Sequence, residues 1–502
     1  MDLLVHLALG FGVVFSPENL LYCLIGALLG TLIGVLPGIG PLAALAMLLP
    51  LTFHLPATGS LIMLAGIYYG AQYGGSTTSI LLNMPGESSS VVTAIDGHQM
   101  ARQGRAGAAL ATAALGSFFA GSVATLTIAV IATPLANVGA RFGSPEFFSL
   151  MVLGLVGAVV LAQGSVVKAI AMIIFGLLLG LVGSDMYTGT PRFTLGIPQL
   201  YDGLDFVPVA LGLFGLGEII ANLSSAGQGE RQVKSEKISG LWLTKAEFKA
   251  AWPASVRGTV IGSILGILPG GGALLSSFAS YIVEKKLAKD PSRFGKGAIE
   301  GVAGPESANN AGAQNSFIPM LTLGIPSNTL MALMMGAMMI QGITPGPQVI
   351  TSHPDLFWGL IASMWVGNAM LLVINLPLIG IWVSLLKIPY RMLFPAILLF
   401  CAIGVYSVNF SPFDIMLAAG FGVLGYFFRK VGCETAPLML GLVLGPLMEE
   451  NLRRSMQLSR GDFSIFLTRP ISLVLLLATA GLLLILIMPT IRKGREEAFQ
   501  ED

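Results

Sequence analysis

The sequence predicts an all-α polytopic membrane protein with about 10–12 transmembrane helices. We expect two inverted-topology repeats, each with broken helices or re-entrant hairpins. Composition supports the class, because 54% of residues are hydrophobic, 11% are charged and the mean hydropathy is +0.81. The repeats are predicted by a glycine-proline motif that occurs twice, and by loop charges that reverse between the two halves.

The glycine-proline motif lies inside apolar sequence in both halves. Gly-Thr-Leu-Ile-Gly-Val-Leu-Pro-Gly-Ile-Gly at 30–40 returns as Gly-Ser-Ile-Leu-Gly-Ile-Leu-Pro-Gly-Gly-Gly at 262–272. We call this shift in residue number, from Gly30 to Gly262, the first offset. Proline removes a backbone donor, so each copy predicts a helix interrupted inside the bilayer. Taken alone, Gly-x-x-x-Gly is more often a helix-packing face, but its duplication favours a pair of functional breaks.

A second landmark follows each break. Gly70-Ala71-Gln72 precedes Pro85, and Gly312-Ala313-Gln314 precedes Pro326. A short polar segment comes next, which is Ser88 to Ser90 in the first half and Ser327 to Thr329 in the second. The shift from Pro85 to Pro326, the second offset, is longer than the first by nine, so nine residues are inserted between the landmarks of the second half. The charged stretch 284–296 is the expected place.

Loop charge predicts how the halves are oriented. Loop 53–58 has no Lys or Arg, whereas the equivalent loop 284–297 carries five. The next pair is reversed, since Arg102 and Arg105 follow the first polar segment and 341–355 has neither residue type. By the positive-inside rule, equivalent loops lie on opposite faces. The same rule predicts a cytoplasmic C-terminal tail at 492–495 and further cytoplasmic markers at Arg391, Arg429, Lys430, Arg453 and Arg454.

Four segments follow from these patterns. We predict a first transmembrane repeat at 1–223, a hydrophilic cytoplasmic linker at 224–250, a second transmembrane repeat at 251–470, and a C-terminal transmembrane helix with a cytoplasmic tail at 471–502. The N-terminus lacks the basic region of a cleaved signal peptide. The three cysteines match no metal-ligand spacing and are interpreted as packing residues.

The landmarks predict a site for an anionic substrate. A helix that starts inside the membrane offers free N–H groups and the positive end of its dipole, and short hydroxyl or amide side chains can cap it and contact a ligand. The alternative is structural, because Ser and Thr in membrane helices commonly bond their own backbone. The predicted substrate-binding residues are Ser88, Ser89, Ser90, Ser327, Asn328, Thr329, Gly38, Gly40, Gly270 and Gly271.

An amide-rich stretch predicts a site for a coupling ion. Amide and backbone oxygens with few acids favour sodium over a proton relay. Glu306 is also a candidate, since a carboxylate inside a membrane protein is expensive to bury, although it could equally start a capped helix. The predicted ion-site residues are Asn309, Asn310, Gln314, Gln72 and Glu306. No other cofactor is expected.

Other functional classes fit the sequence less well. Neither Gly-x-Ser-x-Gly nor His-Glu-x-x-His occurs, and four histidines offer little acid-base machinery, so we expect no enzyme activity. A net charge of +1 gives no sign of nucleic-acid binding. A channel stays open as an alternative, because broken helices also build selectivity filters.

Four stretches of the chain resemble the large membrane subunit of the tripartite tricarboxylate transporter family, the TctA type. They are Gly30 to Gly40, Tyr68 to Glu87, Asp96 to Ala101 and Gly301 to Ser327. The resemblance covers nearly the whole chain. It implies a bacterial inner-membrane secondary transporter that imports citrate-like or other organic carboxylates by sodium or proton symport. It also implies a small membrane subunit and a periplasmic substrate-binding protein as partners. A homodimer is a further expectation.

Overall fold

The structure is a computed structural model, and it describes residues 2–36, 40–161, 165–225, 240–268, 272–385 and 390–487. The helices of the first half are α1 (Asp2–Val14), α2 (Pro17–Val35), α3 (Pro41–Leu48), α4 (Ala57–Leu82), α5 (Val91–Arg102), α6 (Ala106–Gly139), α7 (Ser144–Leu161), α8 (Val166–Gly180), α9 (Phe206–Ala210) and α10 (Gly217–Ser225).

The second half continues in the same style. Its helices are α11 (Lys245–Ile267), α12 (Gly272–Leu287), α13 (Glu300–Asn315), α14 (Phe317–Leu323), α15 (Thr329–Ile340), α16 (Val349–Ser352), α17 (Pro354–Asn375), α18 (Ile379–Leu385), α19 (Tyr390–Asn409), α20 (Pro412–Lys430), α21 (Thr435–Leu458), α22 (Ile465–Thr468) and α23 (Pro470–Ile487). Short 3₁₀ turns lie at Leu49–Thr52, Ser88–Ser90, Pro198–Leu200 and Pro291–Arg293. A π-helical segment, Leu211–Leu216, joins α9 to α10.

The all-α prediction is confirmed for the described residues, apart from one two-stranded hairpin of β1 (Gly183–Ser184) and β2 (Pro191–Arg192). Among these residues, three helices are long and apolar enough to cross a membrane, namely α2, α6 and α17. Eight shorter apolar segments accompany them. The figure of about 10–12 crossings stays a prediction. The segment boundaries also stay predictions, although α11 begins at Lys245, inside the expected linker.

The helices end at both breaks as predicted, while the position of the breaks inside the bilayer stays a prediction. α2 stops before the first break and α3 starts after it, and α11 and α12 flank the second break in the same way. Leu36 and Leu268, which end α2 and α11, both have extended backbones. Each donates its N–H to the carbonyl three residues earlier, Ile33 and Leu265. These pairs are related by the first offset, so the chain leaves the helix in the same way in each half.

The Gly-x-x-x-Gly motifs form close helix contacts. In each half three glycines lie so near a neighbouring backbone that an added Cβ would collide with a carbonyl oxygen. On α2 and α4 the pairs are Gly26 with Met63, Gly30 with Ile67 and Gly34 with Ala71; on α11 and α13 they are Gly258 with Gly304, Gly262 with Ala308 and Gly266 with Gly312. The packing interpretation of these glycines is therefore correct, and it holds alongside the breaks.

The glycine contacts have the same spacing in both halves. The glycines of the two halves are related by the first offset, and their partners are related by the second. The nine additional residues therefore lie between Gly272 and Gly304, a stretch that contains the charged loop after α12. Asn83 and Gly324, also related by the second offset, end α4 and α14 with left-handed φ values of 53° and 72°. Equivalent residues thus end equivalent helices.

Substitution of Gly262 by alanine tests the importance of this packing. The new Cβ would collide with the Ala308 carbonyl oxygen, and overpacking of this kind costs about 1–3 kcal/mol. We expect a lower thermal unfolding midpoint in detergent. Gly420→Ala on α20 is the matched control, because a Cβ there meets nothing within 4 Å. Equal midpoints for the two variants would contradict the contact.

α21 separates two groups of basic residues that were expected to mark one membrane face. Arg429, just before α21, pairs with Glu218 at 3.1 Å. Arg453, in the last turns of α21, pairs with Asp185 at 2.7 Å. A helix of 24 residues is about 36 Å long. If α21 crosses the membrane, Arg429 and Arg453 cannot both be cytoplasmic markers.

Asp185 organises the loop between α8 and α9. Its carboxylate accepts hydrogen bonds from the N–H groups of Tyr187 and Thr188 at 2.9 Å, and it pairs with both Arg453 and Arg192. Arg192 is also bonded to Glu449 on α21 at 2.7 Å. These bonds hold the β1–β2 hairpin against the end of α21. The hairpin and the residues that follow it leave Met186, Phe193 and Leu195 exposed.

The Asp185 ion pair predicts a pH dependence of stability. The Arg453 guanidinium, helped by the two N–H donors, holds the pKa of Asp185 well below its usual range. A carboxylate with a lowered pKa stabilises the fold above its unfolded pKa of about 3.9, and this contribution is lost as the pH falls further. Asp185→Asn should therefore lower the thermal midpoint at pH 7, and the difference from the wild type should shrink below pH of about 4.

Asp462→Asn is the control, since Asp462 bonds Ser464 within its own turn. We expect it to change the midpoint less at pH 7. A difference between Asp185→Asn and wild type that stays constant down to pH of about 3.5 would contradict the role of the ion pair.

Candidate functional site

After α4 the chain turns back along its own helix. We call residues 83–90 the first tip. Gly86 is required there, because an added Cβ would lie 2.5 Å from both the Gly34 carbonyl oxygen and the Gly75 Cα. The first tip therefore lies against α4 and against the end of α2, beside the first break. The two landmarks of the first half meet at this point.

The first tip is hydrogen-bonded to the second half of the chain. The Ser89 hydroxyl donates to Asn309 Oδ1 at 3.1 Å, or to Gln72 Oε1 at 3.4 Å. The Asn309 amide in turn donates to Glu87 Oε1 at 2.9 Å. Ser79 donates to Ser90 at 2.8 Å and ties the tip to α4. Ser89 and Ser90 are buried, whereas Ser88 is exposed.

We call the hydrogen-bonded contact of the first tip and α4 with α13 the polar seam, and Glu306 belongs to it, three residues before Asn309 on α13. Its carboxylate accepts hydrogen bonds from Ser76 at 2.8 Å, from Ser117 at 3.4 Å and from Thr93. Asn310 donates to Ser117 at 2.6 Å. Glu306 is the seventh residue of α13 and is fully buried, so the alternative that it starts a capped helix is wrong.

Neither buried carboxylate has a basic partner. Within the part of the chain that the structure describes, no Lys or Arg forms an ion pair with Glu87 or Glu306. Their donors are neutral hydroxyl and amide groups. Burying an ionised carboxylate without a countercharge is expensive. The cluster can therefore hold a cation or a proton.

The second tip, residues 324–329, is bonded differently. Asn328 caps α15 by accepting from the Met331 N–H at 2.9 Å, and its amide donates to the Ser316 hydroxyl at 3.1 Å. Ser327 donates to the Ser316 carbonyl at 3.1 Å. No hydrogen bond between described residues joins the two tips. The structure thus brings the first tip to α13, while the second tip bonds its own half.

The five predicted ion-site residues separate into two groups. Gln72, Asn309, Asn310 and Glu306 belong to the seam around the first tip. Gln314 does not, because its Oε1 accepts from Thr125 on α6 at 2.5 Å. The shared Gly-Ala-Gln motif does not give Gln314 the position that Gln72 has in the first half. By the second offset, Gln72 corresponds to Ala313 and Gln314 corresponds to Tyr73.

Some predicted residues lie elsewhere or outside the structure. Gly40 is the N-cap of α3, and Gly38, Gly270 and Gly271 fall outside the described residues. Sequence reasoning assigned no role to Ser76, Thr93 and Ser117, which bond Glu306. Ser76 precedes the first tip in the sequence and Thr93 follows it, so their place in the site could have been predicted. Ser117 lies on α6, where no motif distinguished it.

A cavity of about 320 Å³ lies between α21 and the loop that follows α8. Its charged lining includes Asp185, Arg192, Glu449 and Arg453, which already pair with one another. None of the predicted site residues lines it. The cavity is therefore separate from the seam at the first tip.

The broken apolar helices and the buried polar seam define a helical membrane protein with a polar site inside the bundle. The chain belongs to the Tripartite tricarboxylate transporter TctA family, whose sequence profile matches residues 20–440. This match confirms the resemblance. The family is a transporter component that works with partner subunits in tripartite systems, and it is not an enzyme family.

Two relatives come from Agrobacterium vitis. An uncharacterized 52.8 kDa protein in the TAR-I ttuC′ 3′ region is 59% identical over 502 residues, the full length of both chains. An uncharacterized protein in the TAR-II ttuC′ 3′ region is 61% identical over 241 residues, which is 48% of this chain and all of the relative. No solved structure matches the chain.

Proposed function

We propose that the chain is the large membrane subunit of a binding-protein-dependent secondary transporter. It imports citrate-like tricarboxylates or other organic acids by cation symport and alternating access. The observation that carries the proposal is the seam in which the first tip bonds α13 around two carboxylates without basic partners. A broken helix that meets such a seam inside the membrane is typical of transporter binding sites.

In this proposal the substrate carboxylates bind the tip residues. Ser88 to Ser90 supply hydroxyl donors beside a helix start, and Ser327 to Thr329 supply the same types at the second tip. Ser89 and Ser327 are each 2% exposed. A substrate can therefore reach Ser89 only when the first tip and α13 separate, and it can reach Ser327 only when the second tip moves away from Ser316. Opening toward one side and then the other is alternating access.

The coupling ion is proposed to be sodium. Three hydroxyl groups from α4, α5 and α6 bond Glu306, namely those of Ser76, Thr93 and Ser117. The first tip and α13 add the hydroxyl of Ser89 and the amide of Asn309 beside them, and sodium accepts such neutral oxygens as ligands. A cation there would offset the charge of the buried carboxylate. Gln72, Asn309 and Asn310 stay in the proposed site, whereas Gln314 joins it through a hydrogen bond to Thr125 on α6.

Inverted topology is proposed for the two halves. The repeated glycine register and the reversed loop charges support it. The halves are also interlocked, because α8 packs on α21 at Gly176, while α20 packs on the π-helical segment at Gly212. We place the protein in the bacterial inner membrane with a cytoplasmic C-terminus. Its proposed partners are a small membrane subunit and a periplasmic substrate-binding protein.

Labelling of single cysteines tests the topology. In a variant without Cys23, Cys401 and Cys433, cysteines in loops 53–58 and 341–355 should react with an impermeant thiol reagent added outside intact cells. Cysteines at 98–105 and 286–296 should react only after the cells are opened, since the basic loops are expected inside. Labelling of 53–58 and 286–296 from the same side would exclude the inverted arrangement.

Substitution of the tip residues tests the substrate site. With the partner subunits present, uptake of a panel of labelled carboxylates should saturate. Ser89→Ala should raise the half-saturating substrate concentration roughly ten- to a hundredfold, since a hydrogen bond to a charged group contributes about 1.5–3 kcal/mol. Asn328→Ala should act similarly, but it should also lower stability by about 1 kcal/mol because the α15 cap is lost.

Ser407→Ala is the matched control, because the Ser407 hydroxyl bonds only the Gly404 carbonyl of its own helix. It should leave uptake unchanged. If the tip variants are well expressed and keep the wild-type half-saturating concentration, the tips are structural and the substrate binds elsewhere. Uptake that never saturates would favour the channel alternative.

A further inference from the structure

A second, much smaller cavity lies beside Glu306. Its volume is about 10 Å³, which holds one occupant the size of a water molecule. The cavity is too small for any part of an organic acid beyond a single atom. Its polar lining consists of Tyr73, Ser76, Thr77, Ser117 and Asn375. These residues come from α4, α6 and α17.

Asn375 is a lining residue with an unpartnered side-chain oxygen. Its amide nitrogen donates to the Leu371 carbonyl oxygen at 3.0 Å. A backbone carbonyl can only accept, so the orientation of the amide group is fixed and Oδ1 is the free end. That oxygen is buried and has no hydrogen-bond partner among the described residues, in a residue that is 4% exposed. A buried acceptor without a protein partner can accept a bond from, or ligate, whatever occupies the cavity.

The two serines also present acceptors to the cavity. The Asn310 amide donates both to the Glu306 backbone carbonyl and to the Ser117 hydroxyl oxygen, so Ser117 directs its own proton to Glu306. Ser76 donates either to Glu306 or to the Gln72 carbonyl. In each case the serine proton points to an acceptor outside the cavity. Lone pairs of Ser76, Ser117 and Asn375 are left for the occupant.

The charge of Glu306 decides what the occupant is. Its carboxylate lies directly behind Ser76 and Ser117 and has only neutral partners among the described residues. A monovalent cation would satisfy the surrounding oxygens and offset this charge at once. Divalent ions prefer several carboxylates, and no group of three acidic, His or Cys side chains forms a metal site in the described part of the chain.

We propose that this cavity binds a monovalent cation of sodium size, held by Asn375 Oδ1, Ser76 Oγ and Ser117 Oγ with Glu306 as the countercharge. The inference rests on the proposed function, because the ion is the one that drives uptake. It adds Ser76, Ser117 and Asn375 to the ion site. The cation would also act on the first tip, since Glu306 bonds Thr93, three residues after Ser90.

Sodium binding can be measured on the purified full-length chain in lipid nanodiscs. The thermal unfolding midpoint is followed as sodium chloride replaces choline chloride at constant ionic strength. We expect the wild-type midpoint to rise and saturate with sodium. Asn375→Ala and Ser117→Ala should each raise the sodium concentration for the half-maximal shift on the order of tenfold, as one ligand is lost.

Two further variants keep the test sharp. Asn451→Ala is the matched control, because Asn451 makes the same bond to the carbonyl four residues earlier, at 2.8 Å, but lies at the end of α21. It should respond to sodium like the wild type. Asn375→Asp retains an oxygen at the free end and should still bind sodium. Sodium binding by this variant would show that Asn375→Ala acts by removing an ion ligand and not by disturbing the fold.

The inference is overturned if Asn375→Ala and Ser117→Ala respond to sodium at the wild-type concentration, or if sodium leaves the wild-type midpoint unchanged. Uptake with the partner subunits identifies which proposal failed. Sodium-dependent uptake that these variants leave unaltered refutes the cavity alone and leaves the proposed function intact. Carboxylate uptake that does not depend on sodium refutes the coupling ion and the cavity together.

Discussion

Two carboxylates buried inside an apolar helix bundle without a basic partner are the constraint on which the functional centre depends. Glu87 and Glu306 each need donors, and among the described residues their side-chain donors are neutral, including Ser76, Thr93, Ser117 and Asn309. Such a network is stable only when its members are satisfied, so it orders the side chains around it. Uncompensated negative charge also makes the same place attractive to a cation.

Close helix packing sets these side chains in position. Glycines let α2 lie against the backbone of α4, and let α11 lie against α13, at contacts where a single methyl group would collide. α4 carries Ser76 and leads into the first tip, while α13 carries Glu306 and Asn309. The position of the polar seam therefore depends on the two sets of glycine contacts, one in each half. On α4 and α13, the residues that contact the glycines differ from the residues that form the polar seam.

The breaks, the two offsets and the presence of polar residues at the first tip and on α13 could all be predicted from sequence. Duplicated motifs contain that information, because they repeat a local backbone geometry. The partners across the seam could not be predicted, since periodicity identifies a helix face and not its neighbour. The Gly-Ala-Gln motif did not identify equivalent residues, because Gln314 lies one residue out of register with Gln72. By the second offset, Glu306 and Asn309 correspond to Ala65 and Tyr68. These two site residues of the second half are therefore not repeated in the first half.

We propose that a cation, and not a transferred proton, offsets the charge of Glu306 during transport. The most direct measurement is uptake of a labelled carboxylate into vesicles that contain the chain and its partner subunits, with sodium and pH gradients imposed separately. We predict that an inward sodium gradient drives uptake at equal pH on both sides, and that Glu306→Gln abolishes this response. Uptake driven by a pH gradient alone, with sodium making no difference, would contradict the account.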